Sequence, residues 1–443
     1  MLSKVRTRSS MVDNTEQAQL VQIAGDSPPI MNHPGIVFIN NLYYSKFNST
    51  VDAIRQEKTS GKDVIAVPGA GFGASASATL NADKMYGLCL LELELPAFTG
   101  NNIYLPRGWG LAAINSIDFT AGSSNQGRVQ LDMHGCFMAT MLAAKSSEAR
   151  SYIIKMAGSE IVGGQVVGTR NFAYVPLVLP WSTWDHAKRP IDAALSASQF
   201  VLNIAFSAKE RFMSGSGVPA YVPTAFSRAA IYPVTTLVSK AIAWPETMAV
   251  PNAVISYPSM HKISHEMAFT GNDTTPINIQ LNGIIEGNLT TLAFMAVRSD
   301  ELVNNGTGTT KLAPFNAIEF IDFNLMKDGT RLFGIDGNGS KVFCAHDEDG
   351  SGDYLHSMRL DAVATAPYFT FPKTGHVLYW SSVQGRASTF EDKFQNAPRY
   401  AGQTFNLSFL TAVGTTGVAY TLYWMAFYNN VITFQNGVVH SYT

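Results

Sequence analysis

The sequence predicts a mainly β protein of two tandem β-sandwiches, with a short helical insertion and an N-terminal arm. Three observations carry that expectation. Apolar and polar residues alternate at period two in both halves of the chain, and clusters of Gly, Asn, Asp and Ser punctuate the alternation. The length, 443 residues, exceeds what one hydrophobic core holds, since single cores stop growing near roughly 250–300 residues.

Taken along the chain, residues 1–81 mix polar and Gly-rich stretches with short apolar runs and read as an arm, with 16–24 able to make a short amphipathic helix. From Leu88 strand patterns recur. Leu91, Leu93 and Leu95 alternate with Glu92 and Glu94, and Val129, Leu131 and Met133 alternate with Gln130, Asp132 and His134. Similar alternation returns at Phe200 to Phe206, Ile277 to Leu281, Ile321 to Leu325 and Phe405 to Phe409. Turn clusters at 120–127, 213–217, 304–309 and 336–340 supply residues that tolerate positive φ. The Ala-, Met- and Leu-rich segment 137–158 reads as helix in its first half. Six prolines between 218 and 258 weaken any ladder there, so the link between sandwiches is placed in that stretch. The expected division is an arm at 1–81, a first sandwich at 82–240 and a second at 241–443.

Composition narrows the function. Apolar residues make up 46% and charged residues 14%, against about 25% charged in an average globular protein, which points to surface buried against other chains. A formal charge of −2 lacks the basic excess that phosphate neutralisation requires, so sequence-specific nucleic-acid binding is not expected. Cys89, Cys136 and Cys344 are far apart and form no CxxC pair, consistent with free thiols from a reducing compartment. Lys4, Arg6 and Arg8 precede no apolar stretch of the kind a secretory signal needs, and no run of about 20 apolar residues occurs.

Catalytic signatures are missing: the sequence contains no G-x-S-x-G, G-x-x-x-x-G-K-[ST], G-x-G-x-x-G or H-E-x-x-H pattern. No catalytic residue and no cofactor is expected. Gly69, Gly71 and Gly73 are spaced for a loop. His261 and His265 could share one helical face for zinc, but their flanks read as strand, and surface or interface histidines fit better. His134 is read as structural. The best metal candidate is 346–353, where Asp347, Asp349, Ser351 and Asp353 are spaced two apart as in a calcium loop. Met358 stands where that loop wants a bidentate Glu, which favours a solvated acidic loop. Six N-x-[ST] sequons, at Asn48, Asn272, Asn288, Asn305, Asn338 and Asn406, read as chance matches in Asn-rich loops. Trp181 and Trp184 suit core packing better than a sugar platform. Glu92 and Glu94 read as an outward, solvated strand face rather than a carboxylate pair for glycan cleavage.

Several segments, in order, resemble the major capsid proteins of double jelly-roll viruses: nucleocytoplasmic large DNA viruses, and more distantly the adenovirus and tectivirus coats. Residues 87–98 (GLCLLELELPAF) look like that family's first core strand. Residues 104–125 (YLPRGWGLAAINSIDFTAGSSN) look like its aromatic-rich strand pair, and 137–158 like the helix that follows. Residues 175–206 are similar to its "P-L-x-F-W-F" strand and the strand after it, although IDAALSASQ replaces the usual Leu-Pro. Residues 422–443 look like its closing strand, through Tyr428, Asn429, Asn430, Val431 and Gly437. The likeness runs over about 87–443, poorly between 218 and 264, and leaves the arm unmatched.

The resemblance implies two tandem jelly-roll β-sandwiches per chain, three chains in a pseudo-hexagonal capsomer, and an icosahedral shell of a DNA virus. It further implies neighbouring capsomers and minor capsid proteins as partners, a virion location after synthesis in the host cytoplasm, and leaves contact with an internal membrane open. The alternative reading is a tandem-sandwich carbohydrate-binding or glycan-processing protein built around Trp181 and Trp184. A single jelly-roll RNA-virus coat is weaker still, because three basic residues make a poor basic arm.

Overall fold

Leucines at every second position of CLLELEL can share one core only if the chain is extended there, and in the computed structural model it is. The structure describes residues 64–81, 84–97, 103–121, 129–142, 147–159, 161, 170–181, 191–193, 196, 199–213, 215, 217–233, 236–238, 254–281, 288–299, 315, 317–318, 320–334, 355–360, 375–381, 404–435 and 438–442.

The first half contributes strands β1 (Ile65–Ala66), β2 (Ser75–Thr79), β3 (Lys84–Tyr86), β4 (Cys89–Leu95), β5 (Ile114–Ala121), β6 (Val129–Asp132), β7 (Asn171–Pro176), β8 (Ile191–Asp192), β9 (Phe200–Phe206), β10 (Arg228–Pro233) and β11 (Thr236–Val238). Its helices are α1 (Trp109–Ala112), α2 (Met133–Leu142) and α3 (Ser147–Met156). The second half contributes β12 (Val254–Thr270), β13 (Ile277–Leu281), β14 (Asn288–Arg298), β15 (Phe320–Lys327), β16 (Thr330–Gly334), β17 (Leu355–Leu360), β18 (Gly375–Ser381), β19 (Phe405–Thr411), β20 (Ala419–Gln435) and β21 (Val438–Tyr442).

Strand order makes each half a jelly roll. The first pairs a sheet β1-β10-β4-β7 with β2-β9-β5-β6, and the second pairs β12-β20-β14-β18 with β13-β19-β15-β16. Counting the eight sandwich strands of each half in sequence, both read 1-8-3-6 over 2-7-4-5, so two Greek keys close each sandwich. The short strands β3, β8 and β11 form a separate three-stranded sheet.

The two sandwiches are joined edge to edge. Strand β6 runs parallel to β12, with Val129 opposite Lys262 and Gln130 opposite Ile263, which fuses one sheet of each sandwich into a continuous ten-stranded sheet. Strand β20 explains why the closing segment reads as nearly unbroken apolar. Leu422, Trp424, Ala426 and Tyr428 face the core of the second sandwich, while Tyr423, Met425 and Phe427 face the other way into the core cluster of the first. A strand buried on both faces has no polar side to alternate with.

Several expectations are corrected. Residues 65–66 and 75–79, placed in the arm, form β1 and β2 of the first sandwich, where β1 pairs with β10 and β2 with β9. Their small-residue composition (SASAT) hid the period-two burial that the edge position allows. Residues 87–98 therefore hold the third sandwich strand rather than the first. The helical insertion is two helices: α2 begins at Met133, so Met133 and His134 leave the strand pattern, and α3 fills the second half of 137–158. Residues 104–113 carry the helix α1 rather than strand alone. Within the proline-rich stretch, Pro233 ends β10 and Pro258 lies inside β12 opposite Val431, so strands occupy both its flanks.

Candidate functional site

The seam between the sandwiches is held by polar contacts from both. Strand β6 ends at Asp132, whose Oδ1 accepts the backbone N–H of Gly135 at 2.6 Å and so caps α2. The backbone N–H of Asp132 donates to Ser264 Oγ of β12 at 2.7 Å. Burial pushes the Asp132 carboxyl up to about 6, and the charge of Glu266 pushes the same way against the capping bonds. Gly135 has no room for a side chain, since a Cβ there would stand 2.5 Å from that of Ser264. Two residues earlier on β12, the fully buried Lys262 donates from Nζ to the carbonyl oxygen of Leu179 at 2.7 Å, and burial lowers its ammonium to about 7.

Rings complete the seam. His134 stacks on Tyr423 at 3.6 Å and meets Phe315 edge-on, while Phe137 stacks on Phe315 at 4.1 Å. Contacts of this kind fix the two sandwiches as one unit through dispersion and shape rather than through a single bond. His134 is buried, with Tyr423 and Phe315 as ring partners that spacing could not reveal.

The glutamates of β4 are not a solvated face. Glu92 and Glu94 do point away from the leucines, yet they are 6% and 7% exposed. Arg228 Nε lies 2.7 Å from Glu92, and Arg170 grips Glu94 through Nε at 2.6 Å and an Nη at 3.1 Å. Arginines from β10 and from just before β7 lie across the strand and cover both carboxylates; sequence spacing along β4 carries no trace of them. Arg170 also sits over the ring of Phe172, 5.0 Å from its centroid.

The other flagged residues are structural where they can be described. Trp181 is buried, donates from Nε1 to the Gly87 carbonyl at 3.1 Å and meets Phe119 edge-on, so it is core; Trp184 lies outside the described residues. His261 and His265 sit on strand β12, where His265 stacks on Trp424 at 4.3 Å and His261 meets Tyr428 edge-on. Cys89 and Cys136 are buried free thiols. Gly69 and Gly73 occupy a loop with φ of 78° and 74°. Asn272 closes a turn by accepting the N–H of Thr274 and Thr275, whereas Asn288 and Asn406 are in strands rather than loops. Asp347, Asp349, Asp353, Cys344, Asn48, Asn305 and Asn338 lie outside the described residues. Among the described residues no cluster of three or more His, Cys, Asp or Glu is placed to hold a metal ion, and no helix is long and apolar enough to cross a membrane.

No family model matches the chain, and no curated protein matches it in sequence. Solved structures do match it in shape. PBCV-1 VP54, as fitted into a reconstruction of the virophage Sputnik, aligns with a TM-score of 0.55 at 13% identity, over 87% of this chain and 95% of that one. A chain of the PBCV-1 virus capsid aligns at 0.54 and 14% identity over the same shares. The Faustovirus major capsid protein aligns at 0.50 and 7% identity, over 83% of this chain and 89% of that one. At these identities the likeness establishes the fold: the chain has the double jelly-roll architecture.

Proposed function

We propose that this chain is the major capsid protein of an icosahedral DNA virus and acts by assembly, without catalysis. The observation that carries the reading is two jelly rolls of identical strand order, fused at one seam within one chain, in the shape shared with capsid proteins along most of its length. The physics agrees. Jelly rolls leave sheet edges exposed, and burying them against identical neighbours removes that liability. A chain with two similar but unequal sandwiches meets its neighbours head to tail, and three such chains close a ring with six sandwiches around it.

Capsomers formed this way would build the virion shell after synthesis in the host cytoplasm, with neighbouring capsomers, minor capsid proteins and an internal membrane as the candidate contacts. The N-terminal arm is assigned to locking capsomers together, so a chain lacking residues 1–34 should keep its oligomeric mass and fail to close shells. Sedimentation velocity and electron micrographs of the purified protein test the whole reading. A trimer and shells are expected; a chain that stays monomeric at micromolar concentration would sink it. No observation favours the glycan-binding alternative, because Trp181 is locked in the core.

A further inference from the structure

The seam holds a buried cation against a segment that has no regular structure. At one of the two residue pairs that join β6 to β12, Lys262 turns toward the core of the first sandwich, with Val129 of β6 on one side and Phe427 of β20 on the other. Its side chain is 1% exposed and ends on the Leu179 carbonyl, 2.7 Å from Nζ. Leu179 belongs to residues 177–181, which follow β7 and form neither strand nor helix, yet bury Leu177, Val178, Leu179 and Trp181 in the same core. The Leu177 N–H donates to the Cys89 carbonyl at 2.9 Å and Trp181 Nε1 to that of Gly87 at 3.1 Å, so the segment is tied to β4 and its entry on one side and to Lys262 on the other. Pro176 and Pro180 bring no N–H of their own.

We propose that Lys262 and the segment 177–181 form a proton-operated joint: when Lys262 takes up a proton, the segment leaves β12 and water reaches the amine, while β12, β20 and the link to β6 stay in place. A neutral amine keeps its bond to Leu179 inside the dry seam. An ammonium also calls for water, which is why burial lowers Lys262 from 10.5 to about 7. Admitting that water requires one neighbour to move. Strands β12 and β20 pair along 17 residues, and β20 is covered on both faces. The segment, punctuated by two prolines and outside every ladder, yields first.

The sign follows from proton uptake. With the segment released, Lys262 binds its proton below about 10.5; with the segment in place, only below about 7. The released fraction therefore grows as pH falls between those values, by up to about tenfold per pH unit, and levels off below the lower one. The other titratable groups of the seam stand toward its Asp132 end: Asp132 itself, Glu266 on β12, Tyr423 on β20, Arg211 beyond β9, and His134 and Cys136 on α2. Asp132 takes up its proton near 6, below this window, and burial pushes Tyr423 and Cys136 upward out of it. Beside the segment, burial pushes the Cys89 thiol up to about 12.

Hydrogen exchange on the full chain at about pH 9 and about pH 7, corrected for the pH dependence of the exchange chemistry itself, tests the joint. In the unaltered chain, protection of the Leu177, Val178 and Leu179 amides should fall by about tenfold or more from the higher pH to the lower, while protection across 422–427 stays level. In Lys262→Met both should stay level. Constant protection of the segment in the unaltered chain overturns the joint. An equal fall in Lys262→Met overturns it too, and passes the effect to His134 and the groups around Asp132. Should Lys262→Met fail to fold, the unaltered chain decides alone: a fall confined to the segment supports the joint, and an equal fall across 422–427 means that the whole seam loosens and refutes it.

Discussion

Lys262 of the second sandwich donates from Nζ to the carbonyl oxygen of Leu179 of the first, across 2.7 Å and out of reach of solvent. An ammonium in that position loses most of its hydration, which is why burial lowers it from its ordinary value of 10.5 to about 7. The seam thus contains a group whose charge is tied to the integrity of the junction.

A pH dependence follows from that lysine. The unfolded chain binds a proton at Lys262 below about 10.5 and the folded chain only below about 7, so between them the unfolded state holds more protons. Stability is therefore greatest above the upper value and falls as pH drops toward 7, by at most about 1.4 kcal/mol per pH unit. Lys262→Met, of similar length and without charge, should flatten denaturant midpoints between pH 7.5 and pH 9.5, roughly where this slope acts. An unchanged slope in the variant would show that Lys262 is not the group responsible.

Asp132 behaves in the opposite sense. Its folded value of about 6 lies above the ordinary 3.8, so the folded state holds the extra proton between them and stability declines as pH rises from about 4 to 6. Asp132→Asn keeps the acceptor for the Gly135 N–H and removes the titration. Asp132→Ala loses the cap as well and should cost about 1 kcal/mol more than the Asn variant at pH 7. Urea midpoints of the two at pH 4.5 and pH 7 separate capping from charge; equal stabilities would mean the cap contributes nothing.

Gly158 shows where backbone geometry forbids a side chain. It has φ of 128°, its carbonyl accepts the N–H of Gly108, and a Cβ there would stand 2.4 Å from the indole nitrogen of Trp109. Alanine at this position must strain the backbone and displace a buried tryptophan. Gly158→Ala should cost about 3 kcal/mol, the sum of a disfavoured φ and local overpacking. Gly414→Ala, at a φ of 83° but with open space around it, should cost only the backbone part. A thermal melt in which both variants fall equally would remove the role given to Trp109.

Much of the fold was legible because a strand that turns one face to a core alternates apolar and polar residues, as at Leu91 to Leu95 and Phe200 to Phe206. Strand β20 was legible through the likeness of 422–443 to a closing strand, and its apolar run is explained only by burial on both faces. What escaped had physical causes. Strand β2 is an edge of Ser, Ala and Thr, too small to announce itself, and α2 starts at Met133 because Asp132 caps it, a contact invisible to a period-two count. The arginines that cover Glu92 and Glu94 come from positions 76 and 136 residues away, by subtraction of the residue numbers, so their pairing lives in the topology. The seam residues Lys262 and Ser264 follow the stretch whose prolines argued for a linker, and only the parallel pairing of β6 with β12 brings them to Val129 and Asp132.

The two described thiols report on how the sandwiches open. Cys89 lies on β4 of the first sandwich and Cys136 on α2 at the seam, both buried, and burial pushes the Cys89 thiol up to about 12 and that of Cys136 well above its ordinary value. A thiol reagent needs the thiolate, so neither should react in the folded chain. With Cys344→Ser to remove the third thiol, maleimide labelling in mild denaturant should proceed at one rate for both cysteines, because the ten-stranded sheet and the stacked rings at the seam make the sandwiches open together. Peptide mapping of the labelled chain distinguishes the sites. Faster labelling of Cys136 would mean that the seam opens before the first sandwich unfolds, and the two jelly rolls would then be separate cooperative units.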